Sequence, residues 1–181
     1  MKVLVVIDMQ NDFIDGSLGT PEAVEIVPNV VEKIRAWDGL VYATQDTHFA
    51  NYLDTQEGRI LPVPHCIQGT DGWKLEPSVR QALADGAAQN ESVLYITKAT
   101  FGSRDLAEIL EKRHREEPIE EIVLVGLCTD ICVISNALVL KAFLPDVPVC
   151  VDAACCAGVY PQSHLNALEA MQMCHIKICN E

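Results

Sequence analysis

Basic residues are scarce in this chain, whose 181 residues include 13 Lys and Arg against 26 Asp and Glu. The formal net charge of −13 argues against nucleic acid and anionic membranes as partners, because both attract basic surfaces. The acidic residues are spread over predicted helix faces rather than gathered in a tail. They are therefore interpreted as a solvated surface.

Long apolar runs are missing too. The chain has no stretch of 18 or more apolar residues, so we expect no membrane span. The opening MKVLVVIDMQ contains an apolar run too short for a signal peptide, with no small-residue cleavage site after it. It is interpreted as a buried strand, which favours a cytoplasmic protein.

Eight cysteines are present, most of them inside apolar runs, which favours reduced thiols over a disulfide scaffold. Core packing is the prediction for Cys150, Cys174 and Cys179. The adjacent Cys155 and Cys156 could not both face one core, so their roles stay open.

Strand-like and helix-like segments alternate along the chain, without repeats or linkers. The apolar runs KVLVVID, LVYATQD, SVLYITK, EIVLVGL and VPVCVDA are separated by segments with helical spacing, and HIKIC is a last short strand. This order predicts a single three-layer α/β/α domain over residues 1–181 with a central parallel sheet. Residues from about 47 to 76 are predicted as an irregular insertion, and SVRQALADG as a short helix that Gly86 closes.

Reactive side chains follow four successive predicted strands. Asp8 follows the first strand and Lys98 the third. Asp46 and His48 follow the second, and the fourth leads into a segment that contains Cys132. Because open parallel sheets bind ligands beyond the carboxyl ends of their strands, we expect these side chains to share one site.

Cys132 is a candidate nucleophile. Thr129 or Asp130 can cap the following helix, which places Cys132 in its first turn, where the helix dipole favours a thiolate of lowered pKa. Lys98 would favour the thiolate further, and Asp8 could accept its proton. Simple packing of Cys132 inside the helix is an equally good interpretation of the spacing.

Asp8 has a rival interpretation as the nucleophile of a haloacid-dehalogenase-like phosphatase. That chemistry requires a second Asp two residues later, where this chain has Gln10. The rival is therefore disfavoured.

A second group of side chains is typical of a metal site. Asp46 and His48 face the same way on extended chain, and His65 returns after a loop. One carboxylate and two imidazoles suit zinc, iron or manganese. Glu57 is a plausible fourth ligand, with Asp54 as its competitor.

Three motifs together are similar to those of the isochorismatase-like cysteine hydrolases. They are DMQNDF at the first strand end, K-x-x-F-G-S at 98–103, and GLCTDICV at 126–133 with its T-D-x-C-V core. D-x-H followed by P-x-P-H resembles the nicotinamidase branch in particular. The resemblance covers nearly the whole chain, in order.

The resemblance implies an amidase with a catalytic triad of Asp8, Lys98 and Cys132. It implies a thiolate attack on a small carboxamide, loss of ammonia and hydrolysis of the thioester. It further implies an oxyanion hole made by the backbone N–H groups of Cys128 and Cys132, and a cis peptide bond between Leu127 and Cys128.

The resemblance also implies a divalent metal at Asp46, His48 and His65, with Glu57 as the expected fourth ligand. Zinc is favoured, and iron, manganese or magnesium would also fit. Many nicotinamidases place a further histidine between His48 and His65, and this chain does not. Aromatic side chains stack on the substrate in this branch, and the candidates here are Phe13 and Phe101. A homo-oligomer, dimer or tetramer, is expected.

The leading hypothesis from the sequence is a nicotinamidase that converts nicotinamide to nicotinate and ammonia. One alternative is a related cysteine amidase acting on an N-carbamoyl or ureido compound, and another is an isochorismatase-type hydrolase. The alternative from another class is a non-enzymatic redox protein that uses Cys128 and Cys132 as a thiol pair.

Overall fold

The computed structural model describes residues 1–89 and 93–180. In those residues six strands form one sheet in the order β3-β2-β1-β4-β5-β6, with every pair parallel. The strands are β1 Lys2–Ile7, β2 Leu40–Asp46, β3 Leu94–Lys98, β4 Glu121–Leu127, β5 Val149–Ala157 and β6 Lys177–Cys179.

Helices cover both faces of the sheet. Successive side chains of β1 alternate between two apolar clusters, with Val3 and Val5 in one and Leu4 and Val6 in the other. The predicted three-layer α/β/α arrangement is therefore confirmed. The helices are α1 Asn11–Ile14, α2 Pro21–Arg35, α3 Gln56–Ile60, α4 Pro77–Gln89, α5 Arg104–Glu116, α6 Ile134–Phe143 and α7 Pro161–Met173.

The longer helices begin at residues that suit a helix start. Thr20 Oγ1 accepts a hydrogen bond from Ala23 N at 3.1 Å, and Pro21 occupies the first turn of α2. Ser103 Oγ accepts from Leu106 N at 3.1 Å and caps α5. These caps fix the residues at which α2 and α5 begin.

Two helices and one thiol differ from the sequence predictions. Gly86 does not close its helix, because α4 continues to Gln89. The segment from 47 to 76 is not fully irregular, since it contains a 3₁₀ turn at Tyr52–Asp54 and then α3. Cys174 is exposed rather than packed in the core, because it follows the last turn of α7.

The adjacent cysteines of β5, Cys155 and Cys156, lie on opposite faces of the sheet. Cys156 is buried in the cluster under α5, α6 and α7, and Cys155 in the cluster under α2 and α4. Both faces are covered, so both thiols are buried. Within the described residues, no helix combines the length and the apolarity needed to cross a bilayer.

Candidate active site

The strand order brings the carboxyl ends of β3, β2, β1 and β4 side by side. Asp46 is paired with Lys98 in the register of β2 and β3. Asp8 follows β1 with a positive φ of 49°, an uncommon conformation outside glycine that redirects the chain at the site. Four loops thus converge on one edge of the sheet.

Lys98 lies at the centre of this edge. Its Nζ is 2.6 Å from Asp8 Oδ2 and donates a hydrogen bond to Cys132 Sγ at 3.5 Å. The same Nζ is 3.7 Å from Asp46 Oδ1. All four side chains are buried, so these charges face one another with little water between them.

Thr44 is a site residue that the sequence analysis missed. It lies on β2 between the strands of Asp8 and Lys98, and its Oγ1 donates to Asp8 Oδ1 at 2.7 Å. Asp8 N also donates to Thr44 O at 3.2 Å. The hydroxyl holds one carboxylate oxygen of Asp8 while the other faces Lys98, and the backbone contact fixes Asp8 beside β2.

Burial raises the pKa of Asp8 above that of an ordinary carboxyl group, although Lys98 and Thr44 oppose the rise. Burial alone would lower the pKa of Lys98, but the negative charges of Asp8 and Asp46 and the hydrogen bond to Asp8 raise that pKa. The resting pair is thus a cationic lysine beside a carboxylate whose proton affinity is increased. Such a carboxylate is suited to accept a proton.

The expectation of a lowered pKa for Cys132 is wrong for the resting site. Burial raises the pKa of this thiol well above its usual value, and Asp8 adds to the rise more than Lys98 subtracts. A helix dipole lowers a thiol pKa only where burial and neighbouring negative charges are weak. Cys132 therefore rests as a thiol, and Asp8 must accept its proton during attack.

A π-helical turn at Thr129–Val133 carries Cys132. Neither predicted cap forms, because Thr129 Oγ1 contacts His164 Nδ1 at 2.8 Å and Asp130 accepts from Val159 N. The side chains that were expected to cap the turn instead tie it to the residues around the start of α7.

The backbone before this turn has a distinctive shape. The Leu127–Cys128 peptide bond is cis. Cys128 O accepts hydrogen bonds from the N–H groups of Ile131 and Val133, both at 3.0 Å. Gly126 has a φ of +118°, and a Cβ there would overlap the carbonyl oxygen of Ile7.

The Cys128 thiol is poorly suited to act as a nucleophile. Burial raises the pKa of its thiol to about 12, so the thiol stays protonated at neutral pH.

Asn136 connects the loop after β3 to the turn of Cys132. Its Nδ2 donates to Cys132 O at 2.8 Å and to Phe101 O at 3.1 Å. Its Oδ1 accepts from Ser103 N at 2.9 Å. The side chain is fully buried, so three backbone groups of two loops depend on one amide.

Four predicted metal ligands come together beside Lys98. One ligand atom from each of Asp46, His48, Glu57 and His65 lies within 4.8 Å of all the others. Asp46 Oδ2 is 3.0 Å from His48 Nε2 and 3.6 Å from His65 Nε2. Glu57 Oε1 is 3.6 and 3.7 Å from the same two nitrogens.

These distances fit a divalent metal. Ligand atoms about 2.1 Å from a tetrahedral metal are about 3.4 Å apart, close to the spacing found here. His65 Nδ1 lies 2.8 Å from Val63 O, which leaves Nε2 free to ligate. His48 Nε2 is buried and makes no hydrogen bond, although Asp46 Oδ2 is near. A divalent metal bound by the cluster would satisfy this nitrogen.

Asp54, the competitor of Glu57, does not belong to this group. It ends the 3₁₀ turn at Tyr52–Asp54 and is exposed. Glu57 lies in the first turn of α3, which begins where Thr55 Oγ1 accepts from Gly58 N at 3.0 Å. The start of α3 thus places Glu57 in the cluster.

A family model for the isochorismatase domain matches residues 2–180. The chain belongs to the isochorismatase family. Its match covers both the Cys132 loop and the metal-ligand cluster.

Similar members of the isochorismatase family include nicotinamidases. The nicotinamidase of Escherichia coli is 29% identical over 194 residues, covering 95% of this chain and 90% of the relative. The crystal structure of a Bacillus subtilis nicotinamidase/pyrazinamidase has a TM-score of 0.82 at 29% identity, covering 99% of this chain and 100% of the other. A Pyrococcus horikoshii pyrazinamidase in complex with zinc has a TM-score of 0.79 at 28% identity, covering 99% of each chain.

Gln10 is a second residue whose role in this isochorismatase-family site was missed. Its Oε1 accepts from Asp46 N at 2.7 Å, and its Nε2 donates to Asp46 O at 2.9 Å and Trp73 O at 2.8 Å. The buried amide therefore fixes the backbone of a metal ligand to the first strand end. Its place in DMQNDF was the available signal, but the sequence could not show its partner.

The two predicted aromatic residues differ in position. Phe13 is buried, with its ring centroid 5.5 Å from that of His65. Phe101 is 47% exposed and precedes the Gly102–Ser103 turn. Tyr52, which was not predicted, lies with its ring centroid 4.8 Å from that of His48 and 5.0 Å from that of His65. Phe13 and Tyr52 thus pack on the imidazoles of the cluster.

Proposed function

We propose that this isochorismatase-family protein is a nicotinamidase, which hydrolyses nicotinamide to nicotinate and ammonia. One observation carries the proposal: Lys98 Nζ contacts Asp8, Cys132 and Asp46, and so joins a thiol–carboxylate pair to a candidate metal group. The two parts suit a heteroaromatic amide, since one can attack the amide and the other can hold the ring. Relatives with this activity cover nearly the whole chain.

Cys132 is the nucleophile in this proposal. Its Sγ attacks the carboxamide carbon while its proton passes to Asp8, whose raised pKa favours the transfer. Asp8 then gives this proton to the leaving nitrogen, and ammonia departs. Asp8 next deprotonates a water that attacks the thioester, which releases nicotinate and restores the thiol.

Lys98 and the backbone stabilise the charges that develop. The Lys98 ammonium faces both Asp8 and Cys132 and offsets the negative charge that moves between them. The backbone N–H groups of Cys128 and Cys132 are the proposed donors to the oxyanion.

The proposed cofactor is one divalent metal held by Asp46, His48, Glu57 and His65. When bound, it supplies a Lewis-acid position that can hold the pyridine ring of the substrate. Zinc is the proposed metal, since two imidazoles and two carboxylates suit it and a similar pyrazinamidase carries zinc. Phe13 and Phe101 are the proposed aromatic contacts of the ring. The cytoplasmic location and the homo-oligomer stay predictions.

A panel of small amides tests the function. Purified protein is incubated with nicotinamide, an N-carbamoyl amino acid and a ureido acid, and ammonia and acid products are measured. The proposal expects nicotinamide to have the highest kcat/KM and to release equal amounts of ammonia and nicotinate. Turnover of the carbamoyl or ureido compound without turnover of nicotinamide would overturn the nicotinamidase proposal in favour of the alternative amidase.

A further inference from the structure

Two thiols away from the candidate active site lie in unusually close contact. Cys150 Sγ on β5 is 2.8 Å from Cys179 Sγ on β6. Non-bonded heavy atoms usually settle about 3.5–4.0 Å apart, and a disulfide brings the sulfurs to about 2.05 Å. The observed separation lies between these two distances.

The strand register explains the approach. Cys150 is paired with Lys177, and Cys179 is the second residue after Lys177 on the parallel neighbour. Residues two apart on a strand face the same side of the sheet, so both thiols face the same side. Both pack with the apolar cluster under α2 and α4.

Polar contacts hold the end of β6 in this register. The buried carboxylate of Asp152 is 2.6 Å from Lys33 Nζ on α2 and accepts from Asn180 Nδ2 at 2.9 Å. Because Asn180 directly follows Cys179, these contacts restrain the strand end next to the thiol pair. Because the register offsets the two cysteines by two residues on neighbouring strands, closure of the disulfide also requires some backbone adjustment at this strand end.

We propose that Cys150 and Cys179 form an oxidation site that closes to an intrachain disulfide by exchange with a low-molecular-weight disulfide such as oxidised glutathione. Cys179, which is half-buried, loses its proton and attacks one glutathione sulfur, releasing one glutathione thiolate. Cys150 then attacks the Cys179 sulfur of the mixed disulfide and releases the second glutathione. Two protein thiols are oxidised to one disulfide, and one glutathione disulfide is reduced to two thiols.

The order of the two steps follows from the environments of the thiols. Cys150 is 2% exposed, and burial raises its pKa to about 12, so it is a poor first nucleophile. Once Cys179 carries the glutathione, Cys150 already lies beside the sulfur that it attacks. Local proximity then offsets its low thiolate fraction.

Cys150 lies near the amino-terminal end of β5, whereas the candidate active site lies beyond the carboxyl ends of the strands. In the register with β4, Cys150 is level with Val123 and Ala157 with Leu127, so the two positions are separated by four residue steps, about 13 Å along the sheet. The disulfide is therefore expected to change stability and to leave activity unchanged, so its test does not depend on the proposed function.

Peptide mapping tests the proposal directly. The chain has no Lys or Arg between Lys141 and Lys177, so trypsin releases fragments 142–177 and 178–181. The full chain is equilibrated with oxidised glutathione, free thiols are alkylated, and the digest is analysed without reduction. The proposal expects the two fragments to be joined, with a mass two hydrogens below their sum, and fragmentation to assign Cys150.

Variants and a thermal measurement separate this disulfide from other thiol chemistry. Cys150→Ala should abolish the linked peptide, whereas Cys155→Ala and Cys174→Ala should retain it. Oxidised wild type should melt roughly 5–10 °C above the reduced protein, a shift absent from Cys150→Ala. Complete alkylation of Cys150 and Cys179 after oxidation would overturn the proposal. So would a link that survives in Cys150→Ala, or fragmentation that assigns Cys155.

Discussion

Lys98 and Asp8 form a buried ion pair of 2.6 Å although β2 lies between their strands. The lysine reaches over the end of β2, where Thr44 contacts the other oxygen of Asp8. Its Nζ also lies within 3.7 Å of Asp46, one of the four candidate metal ligands. One cation therefore couples the two halves of the site.

Substitution of the two cysteines of the GLCTDICV loop should have unequal effects. Cys132→Ala removes the proposed nucleophile and should lower kcat/KM for nicotinamide at least about 10³-fold. Cys128→Ala preserves the backbone N–H and should cost less than about 10-fold, because no reacting atom is lost. Ammonia release from both variants gives the comparison. Equal losses, together with a reversible Cys128–Cys132 disulfide, would favour the redox alternative.

Thr44 should influence the pH at which kcat/KM for nicotinamide falls on the acidic side of its pH profile, called the acid limb below. The Asp8 carboxylate must be unprotonated to accept the thiol proton, and its pKa is raised above 3.8 by burial. Activity should therefore fall as pH falls through a pKa above 3.8. Thr44→Val removes a hydrogen bond that lowers this pKa, so the limb should move to higher pH.

The matched control for Thr44→Val is Thr44→Ser, which retains the hydroxyl and should restore the wild-type limb. The measurement is kcat/KM for nicotinamide at a series of pH values. An acid limb in the same place for all three proteins would show that Thr44 does not act through Asp8.

Metal binding should depend on Glu57 and not on Asp54. Wild type should hold about one divalent ion per chain, and Glu57→Ala should weaken its affinity at least about 10-fold, because one of four ligands is lost. Asp54→Ala, three residues away on the exposed 3₁₀ turn, should bind like wild type. Elemental analysis after dialysis against a graded chelator measures this. Equal metal content in both variants would contradict the ligand assignment.

Asn136 should be important for stability and for placing Cys132. Asn136→Ala leaves Ser103 N and Cys132 O without their buried partner and should lower the free energy of unfolding by about 2–3 kcal/mol. Exposed Asn166→Ala on α7 should change it by less than about 0.5 kcal/mol. Urea unfolding of both variants measures the difference. A loss below about 1 kcal/mol for Asn136→Ala would mean that water replaces its contacts.

The contribution of Lys33 to stability should be lost at alkaline pH. Burial acts to lower the Lys33 pKa, but the hydrogen bond and charge of Asp152 outweigh it and raise that pKa above 10.5. A raised lysine pKa stabilises the fold below the unfolded pKa, and the effect is lost as pH rises through the folded pKa. Lys33→Met should lower the free energy of unfolding by about 1–3 kcal/mol at pH 7. This range is smaller than for a fully buried ion pair, because the Lys33 side chain is about a quarter exposed and water screens its charge.

The difference in unfolding free energy between wild type and Lys33→Met should therefore shrink above pH 10.5. Exposed Lys112→Met on α5 serves as the control and should show no such dependence. A difference that stays constant from pH 7 to pH 11 would contradict the proposed role of the Lys33 charge.

Much of the fold followed from local patterns. Apolar runs such as KVLVVID require burial on both faces, and their alternation with helical segments requires a parallel sheet. The order of that sheet was not predictable from these patterns, because each strand carries the same kind of side chain. Gly86 was misplaced because a glycine can continue a helix at a modest cost when packing favours it.

The sequence by itself determined which reactive groups stand at the strand ends, since parallel strands end at one edge and Asp8, Lys98 and Cys132 each follow a buried run. Only the tertiary structure decided how these groups behave. The high thiol pKa of Cys132 depends on burial and on Asp8, and the contacts of Thr44 and Gln10 link segments more than thirty residues apart. The choice of Glu57 and the approach of Cys150 to Cys179 likewise depend on distances through space, which residue spacing along the chain does not contain.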